Sequence, residues 1–426
     1  MAAERRPVPR KWKFLALGLL PVYFLAAGLF LQPLDSIWEG LLTIIREPDF
    51  LITDYIVIGG VGAALVNASL LTLASIVIVY LLGMEMDGHT ITSSFLMFGF
   101  SMFGKNILNI WAILFGVWLY ARYHKTHLSR YIYIGFYGTS LSPIITQVMQ
   151  IGNLPMIIRF PLSLLVGIII GFVLPPLSTH TYYTHKGYSL YNVGFAGGII
   201  ATVIISLFKS FGVETDTRLI WAKGYNELFI YLLTIFFMGL IVIACLCSRH
   251  VFTRYLDILK SYGLGGTDYV KTEGMAPVLL NMGMNGLFAM MFVVLVKGDL
   301  NGPTLGGIFT IVGFSATGKH LRNITPIMVG VLLASFAKTW NINEPGPMLA
   351  LLFSTTLAPV AGEFGVLVGI LAGILHSSVA LNVGIIYGGM NLYNNGFAGG
   401  IVAAFMVPVV LSIRDRRARA RGSISL

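Results

Sequence analysis

One nonapeptide occurs twice in this chain: Leu190 to Gly198 reads LYNVGFAGG, and Leu392 to Gly400 reads LYNNGFAGG, eight of nine residues identical. A duplication of this kind requires two similar halves that pack on each other. GFSMFGKNILN, from Gly99 to Asn109, matches GFSATGKHLRN, from Gly313 to Asn323, at an offset of 214. The same offset pairs Thr53, Asp54 and Tyr55 with Thr267, Asp268 and Tyr269, Asn67 with Asn281, and Gly88 with Gly302. An offset of 216 pairs Thr139, Leu141 and Pro143 with Thr355, Leu357 and Pro359, and 202 pairs Gly167 with Gly369 and the two nonapeptides. The drop from 216 to 202 places an insertion of fourteen residues in the first half, expected around Met149 to Pro161, because loops tolerate insertions. The expected organisation is a tail at 1–12, a first repeat at 13–211, a linker at 212–224, a second repeat at 225–413 and a basic tail at 414–426.

With 56% apolar and 11% charged residues the chain lacks the polar surface to coat a soluble globule. Long apolar stretches with short polar breaks fit helices that cross a bilayer, and the 48 glycines suit closely packed or broken ones. The fold class is an all-α polytopic membrane protein. Its net charge of +10 is concentrated at the two ends, in Arg5, Arg6, Arg10, Lys11, Lys13, Arg414, Arg416, Arg417, Arg419 and Arg421. These read as cytoplasmic anchors of a multi-pass cell-membrane protein, not as a nucleic-acid surface. Cys245 and Cys247 point to different faces of one helix and imply neither a metal nor a redox pair. No cleavable signal peptide is evident, and no cofactor is implied.

The first half offers spans near 14–32, 56–82, 131–150, 158–176 and 193–211, with an amphipathic segment at 36–46. The segment 90–121 is different, because its centre is the polar Gly99 to Lys105 turn. If it crosses the bilayer once, the loop with Arg122, Lys125 and Arg130 lies outside, against the positive-inside rule; a re-entrant hairpin returns it inside. Each half then has five spans, and an odd number inverts the second half. The expectation is about ten transmembrane helices plus two re-entrant hairpins, in two inverted repeats of five spans, with both termini cytoplasmic. Six parallel spans per half is the alternative. Arg249, Arg254 and Lys260 follow the first span of the second half where the first half has only Arg46, which fits inversion.

Inverted repeats place a transport site near the midplane, where broken helices expose backbone. Non-helical backbone at that depth must line a cavity or be buried in protein, so the two GFSxxGK turns are the best candidates. Ser101 and Ser315 offer hydroxyls, Asn109 and Asn323 close the motifs, and helix N-termini just after Gly104 and Gly318 offer amide N–H groups. Lys105 and Lys319 are costly at depth and read either as cations that attract an anion or polar solute, or as side chains that snorkel to headgroups. The nonapeptide reads as a half-helix entrance, with Asn192 and Asn394 able to bond a solute or broken backbone; its glycines equally suit close helix packing. Asn67, Asn281, Thr139 and Thr355 are further polar residues within spans. Glu363, aligned with Gln147, is either a protonatable group in the membrane or a helix-end residue in headgroup water. His376 reads as a hydrogen-bonded interior histidine, and His180 and His185 as loop residues. Walker, HExxH and GxSxG patterns are all absent, so no enzyme is indicated.

In element order the chain resembles the urea transporter family, and GFYGTSLSP from Gly135 to Pro143 is similar to that family's Gly- and Tyr-containing entry to the span after its re-entrant helix. The resemblance implies two inverted halves of five spans, each with a re-entrant element, around a narrow pore for a small neutral solute. GFSxxGK and LYNxGFAGG replace that family's Asn-Pro and Thr-containing turns, so no pore residue carries over. The motifs also resemble an uncharacterised family of bacterial integral membrane proteins. The functional expectation is a channel or facilitative transporter for a small polar solute or small anion, embedded in lipid, with a homo-oligomer compatible with the sequence but not required by it. A membrane scaffold or a membrane-embedded enzyme are the alternatives.

Overall fold

The computed structural model describes residues 9–49, 52–151, 154–213 and 218–420, with side chains up to 416. Its described residues are nearly all helical, and nine helices are long and apolar enough to cross a membrane. The tenth expected span, near 131–150, is broken into Ile132–Gly138, a 3-10 turn Thr139–Leu141, and Ser142–Met149. Sequence explains the break. The Thr139 hydroxyl donates back to the Phe136 carbonyl at 2.7 Å, and Pro143 has no N–H with which to continue the ladder. The counterpart breaks at the same place, Pro345–Phe353, Ser354–Leu357 and Ala358–Phe364, with Pro359 in the matching position.

Segment 90–121 is a hairpin. Helix Gly88–Phe100 enters, a turn follows, and Trp111–Tyr123 returns. Thr90, at the start of the first helix, bonds Tyr133, just beyond the loop that follows the second, so both ends lie at one face. The second hairpin is Gly302–Phe314 with Leu321–Ser335.

The two entering helices pack against each other antiparallel. A Cβ on Gly88 would meet Ala316 and Thr317, one on Gly99 would meet Gly306, one on Gly313 would meet Thr92 and Phe95, and one on Gly302 would meet Met102. Equivalent helices running in opposite directions about a pseudo-twofold axis make the repeats inverted, and six parallel spans per half are excluded. At 13 residues each helix is about 20 Å long. The nonapeptide helices, Asn192–Ser210 and Asn394–Ala420, also meet at this axis, where Gly194 and Gly396 approach so closely that a Cβ on either would lie about 3 Å from the other's Cα. Both are full-length helices, which corrects the half-helix reading of LYNxGFAGG.

Each repeat caps the other's entering helix. Asp268 accepts from the Gly88 N–H at 3.2 Å as well as from Val270 and Lys271 of its own segment. Asp54 accepts from Gly302 N–H, from Ile56 at 3.0 Å and from Ala222 at 3.0 Å. Asp87 and Asn301 add capping boxes with Thr90 and Thr304. The duplicated Thr-Asp-Tyr triplet is thus the clamp between repeats, and Lys271 ties it to Asp87 at 2.9 Å.

Arg10 donates to Met84 and Tyr80, Gly265 bonds Gly187, and Arg414 pairs with Glu363, which bonds Tyr188; these links place the start of the first described helix and the end of the last at one face, the terminal face. The linker strand Leu219–Ile220 pairs in parallel with Ile52–Thr53 at the opposite face. Amphipathic helices Leu34–Arg46 and Val251–Lys260 precede the second span of each repeat. The first repeat has a 30-residue helix, Met156–His185, where the second has Val366–Val383, 18 residues, after a single glycine; this lengthening and the loop before it hold the insertion. His180 and His185 lie inside that helix and are not loop residues.

Helix Tyr55–Leu81 kinks at Gly60, whose φ of 85° favours glycine, and the Gln32 side chain fills the kink by accepting from Gly62 N–H at 2.9 Å. Elsewhere glycine serves approach. A Cβ on Gly171 would sit 2.0 Å from the Ile113 carbonyl oxygen, and one on its counterpart Gly373 2.1 Å from that of Ile327. Gly171→Val therefore forces the return helix off the long span. We expect a loss of about 3 kcal/mol or more, beyond the usual overpacking range, in detergent thermal unfolding. Gly18→Ala, which meets only open space, stays within about 0.5 kcal/mol of wild type.

Candidate functional site

Both GFSxxGK turns are fully buried, so their backbone carbonyls need partners inside the protein. One asparagine supplies them in each repeat. Asn67 Nδ2 donates to the Ser101 carbonyl at 2.7 Å and the Lys105 carbonyl at 2.9 Å; Asn281 Nδ2 donates to Ser315 and Lys319 carbonyls, both at 2.8 Å. Asn109 and Asn323 reach back to the carbonyls of Gly104 and Gly318 at 3.2 and 2.9 Å. The amides expected to be free after Gly104 and Gly318 are occupied: Asn106 Oδ1 accepts from Leu108 and Asn109, Asn109 Oδ1 from Asn106, and Asn323 Oδ1 from His320. The return helices begin later, at Trp111 and Leu321. These asparagines build the turns.

Lys105 and Lys319 have zero exposure, and among the described residues neither has a carboxylate within ion-pair distance. They do not snorkel. Lys319 Nζ donates to the Tyr191 hydroxyl and to Thr355 Oγ1 at 2.8 Å, and lies 4.4 Å from the Tyr191 ring centre and 5.2 Å from that of Phe314. Lys105 Nζ donates to the Phe136 carbonyl at 3.2 Å and lies 5.1 Å from the Phe100 ring centre. Such aromatic faces attract a cation but do not neutralise it.

The rings beside the lysines form a septum around the pseudo-twofold axis. Phe100 and Tyr393 have centroids 4.3 Å apart, and the equivalent pair Phe314 and Tyr191 4.9 Å. Phe353 lies 5.7 Å from Phe100 as Tyr137 lies 6.4 Å from Phe314, and Tyr191 and Tyr393 meet across the axis at 5.8 Å. A cleft of about 430 Å³ runs to this septum from the terminal face, with Arg130, Tyr133, Tyr137, Tyr191, Asn192 and Phe314 among its walls. A second, of about 320 Å³, runs from the opposite face along Arg218, Phe103, Leu392, Asn394 and Phe353. The two share no lining residue, and Tyr137, Leu190 and Asn192 of the first are the repeat equivalents of Phe353, Leu392 and Asn394 of the second.

The remaining candidates divide. Thr355 joins the Lys319 cluster, whereas Thr139 bonds only the Phe136 carbonyl and the Met97 sulfur. Ser315 bonds Asn285 and Ile311; Ser101, whose repeat lacks that asparagine because Leu71 stands there, has a buried hydroxyl with no partner among the described residues. Asn192 ties Ser178, Thr181 and His185, and Asn394 accepts from Tyr387 and donates to Ala380 at 2.9 Å, so both mainly close a helix junction. His376 bonds Asn395 at 3.0 Å. Glu363 lies apart, in a surface pair with Arg414 at 2.8 Å, which supports its headgroup reading.

Sequence reasoning missed the aromatic septum, although Phe100, Tyr191, Phe314 and Tyr393 all stand inside the quoted motifs. It also missed Asp49, on the loop after Leu34–Arg46, a buried carboxylate that accepts from Tyr55 at 2.6 Å and Asn109 at 2.9 Å. Burial pushes its carboxyl up to about 8, against the lowering by those two donors. Its repeat equivalent is Gly263, so no internal match pointed to it.

Asn67→Leu would leave two buried turn carbonyls without their asparagine donor. The expected loss is about 2–4 kcal/mol by detergent unfolding, since each orphaned group costs ~1–3 kcal/mol; Asn281→Leu should cost less, because Asn285 Nδ2 still reaches the Lys319 carbonyl at 3.5 Å, and a loss under about 0.5 kcal/mol in both would contradict the assigned role.

No curated protein and no solved structure matches the chain. The model of one family, described as a protein of unknown function (DUF1576), matches residues 34–210 and 247–412. The two matched segments fall in the two repeats, and the chain belongs to the DUF1576 family.

Proposed function

We propose that this protein is a channel or facilitative transporter for a small polar solute or small anion, with its path at the interface of the two inverted repeats. One observation carries the reading: pseudo-symmetric clefts from opposite faces end on the same aromatic septum, and the two duplicated lysines lie buried beside it. Structural packing alone favours apolar residues at such depth, because a buried ammonium without a carboxylate is destabilising. The septum as described is closed, so passage requires Tyr191 or Tyr393 to move, and a gate of a few rings is a low-barrier way to alternate access between two preformed clefts.

The terminal face is proposed to be cytoplasmic, in a cell membrane. Arg122, Lys125, Arg130, Arg249, Arg254 and Lys260 lie in segments at that face together with the arginine-rich tail. With Cys245 and Cys247 replaced by alanine, Lys125→Cys should be labelled by an impermeant maleimide only in inverted vesicles and Lys297→Cys only in intact cells; the reverse pattern would sink the orientation.

Permeation is tested with purified protein in liposomes, using urea, formamide, acetate, formate, nitrate and chloride. Flux of at least one solute is expected, and Lys105→Ala with Lys319→Ala should reduce it at least about tenfold, the equivalent of losing one good transition-state contact. A folded, monodisperse wild type that passes none of them would overturn the reading.

A further inference from the structure

We propose that the permeant species is a small monovalent anion and not a neutral solute, with the Lys319, Tyr191 and Thr355 cluster as its central site. This rests on the permeation reading above and narrows it. Among the described residues, the polar side chains in the largely apolar cleft walls are cations and hydroxyl or amide groups. The cleft at the terminal face has Arg130 and His89, the opposite cleft has Arg218, and among the described residues no Asp or Glu lines either. Arg218 pairs with Glu47 at 3.3 Å outside the cleft wall, whereas Arg130 has no carboxylate partner among the described residues. The nearest buried acids are used within the fold: Asp49 accepts from Tyr55 and Asn109, Asp54 from Ile56 and Ala222, and Asp268 from Gly88.

At the centre sit two ammonium groups that bond neutral oxygens and face rings. An ammonium buried without a counter-ion has two remedies, loss of its proton or the arrival of an anion. Lys319 is prepared for the second. Its Nζ makes two hydrogen bonds to hydroxyls and so keeps one of its three protons for another acceptor. Tyr137, whose buried hydroxyl has no partner among the described residues, lines the adjoining cleft beside Phe314 and adds a spare donor near its floor. A neutral amide such as urea carries N–H groups that need acceptors, and the described cluster presents few. Size follows from the enclosure: the ion must shed most of its water to pass between Tyr191 and Tyr393, which favours weakly hydrated anions such as nitrate over multiply charged ones. The two lysines lie on opposite sides of the axis, so an anion that leaves one meets the other, and binding stays weak enough for release.

The test is flux into proteoliposomes of full-length protein, with nitrate, chloride and formate read under a valinomycin potassium shunt, and with urea and formamide read by osmotic swelling. Anion flux exceeding neutral flux at least about tenfold is expected. Lys319→Met should abolish it, Lys319→Arg should retain part of it, and Arg130→Gln should slow it at low salt but little at high salt, a screening signature that a merely structural role would not give. Neutral solutes passing as fast as anions would overturn the proposal while leaving the pore intact. Passage of neither would overturn the pore itself.

Discussion

Most of this architecture depends on satisfying backbone polar groups that lie inside a membrane where water cannot reach them. A hairpin that turns back in the bilayer exposes carbonyls and amides at its tip, and each of these needs a partner supplied by the protein. Here Asn67 and Asn281 read the turn carbonyls, Asn109 and Asn323 close the turns, and Asp54 and Asp268 hold the far ends of the entering helices. Once those contacts are fixed, the rest follows: the helices must pack antiparallel, the repeats must be inverted, and the lysines at the turn must end beside the axis.

The placement of the lysines departs from what stability alone would select. Apolar residues of similar volume would fill the same space without a desolvation penalty. The rings that surround them soften this penalty, and the hydroxyls of Tyr191 and Thr355 reduce it further at Lys319. Lys105 lacks that hydroxyl pair and bonds one carbonyl and the Met97 sulfur, so the surroundings of the two lysines are unequal although their backbones match. The asymmetry also appears in Asn285 against Leu71 and in Asp49 against Gly263. A duplicated scaffold has kept its geometry while its chemistry has diverged.

Much of the fold was legible in the sequence because duplication and hydropathy are long-range signals. The constant offset exposed both hairpins, and the positions of Arg122, Lys125 and Arg130 required the first to return to the face it left. What the residues concealed was local. Thr139 and Pro143 break a span whose composition alone reads as one crossing, as Thr355 and Pro359 break its counterpart. The candidate site was half visible: the lysines drew notice because charge in an apolar segment is conspicuous. Phe100, Tyr191, Phe314 and Tyr393 did not, because an aromatic residue in the sequence does not show whether its ring packs in a core or stands in a septum at the repeat interface. The asparagines misled for the opposite reason, since a polar residue in a span suggests a solute when its partner is the backbone itself.

The exchange of caps between repeats has a consequence for how the chain is made. The acceptor for the Gly88 amide is Asp268, 180 residues further along the chain. At ~5–20 residues per second of synthesis, the first hairpin waits roughly 10–40 s with the start of its entering helix unclamped. During that interval the first half is a complete set of spans with an incomplete centre. Its hairpin is then free to sit differently in the bilayer, and only arrival of its upside-down twin drives it to its final depth. The contacts at the axis between the halves are complete only when both are present.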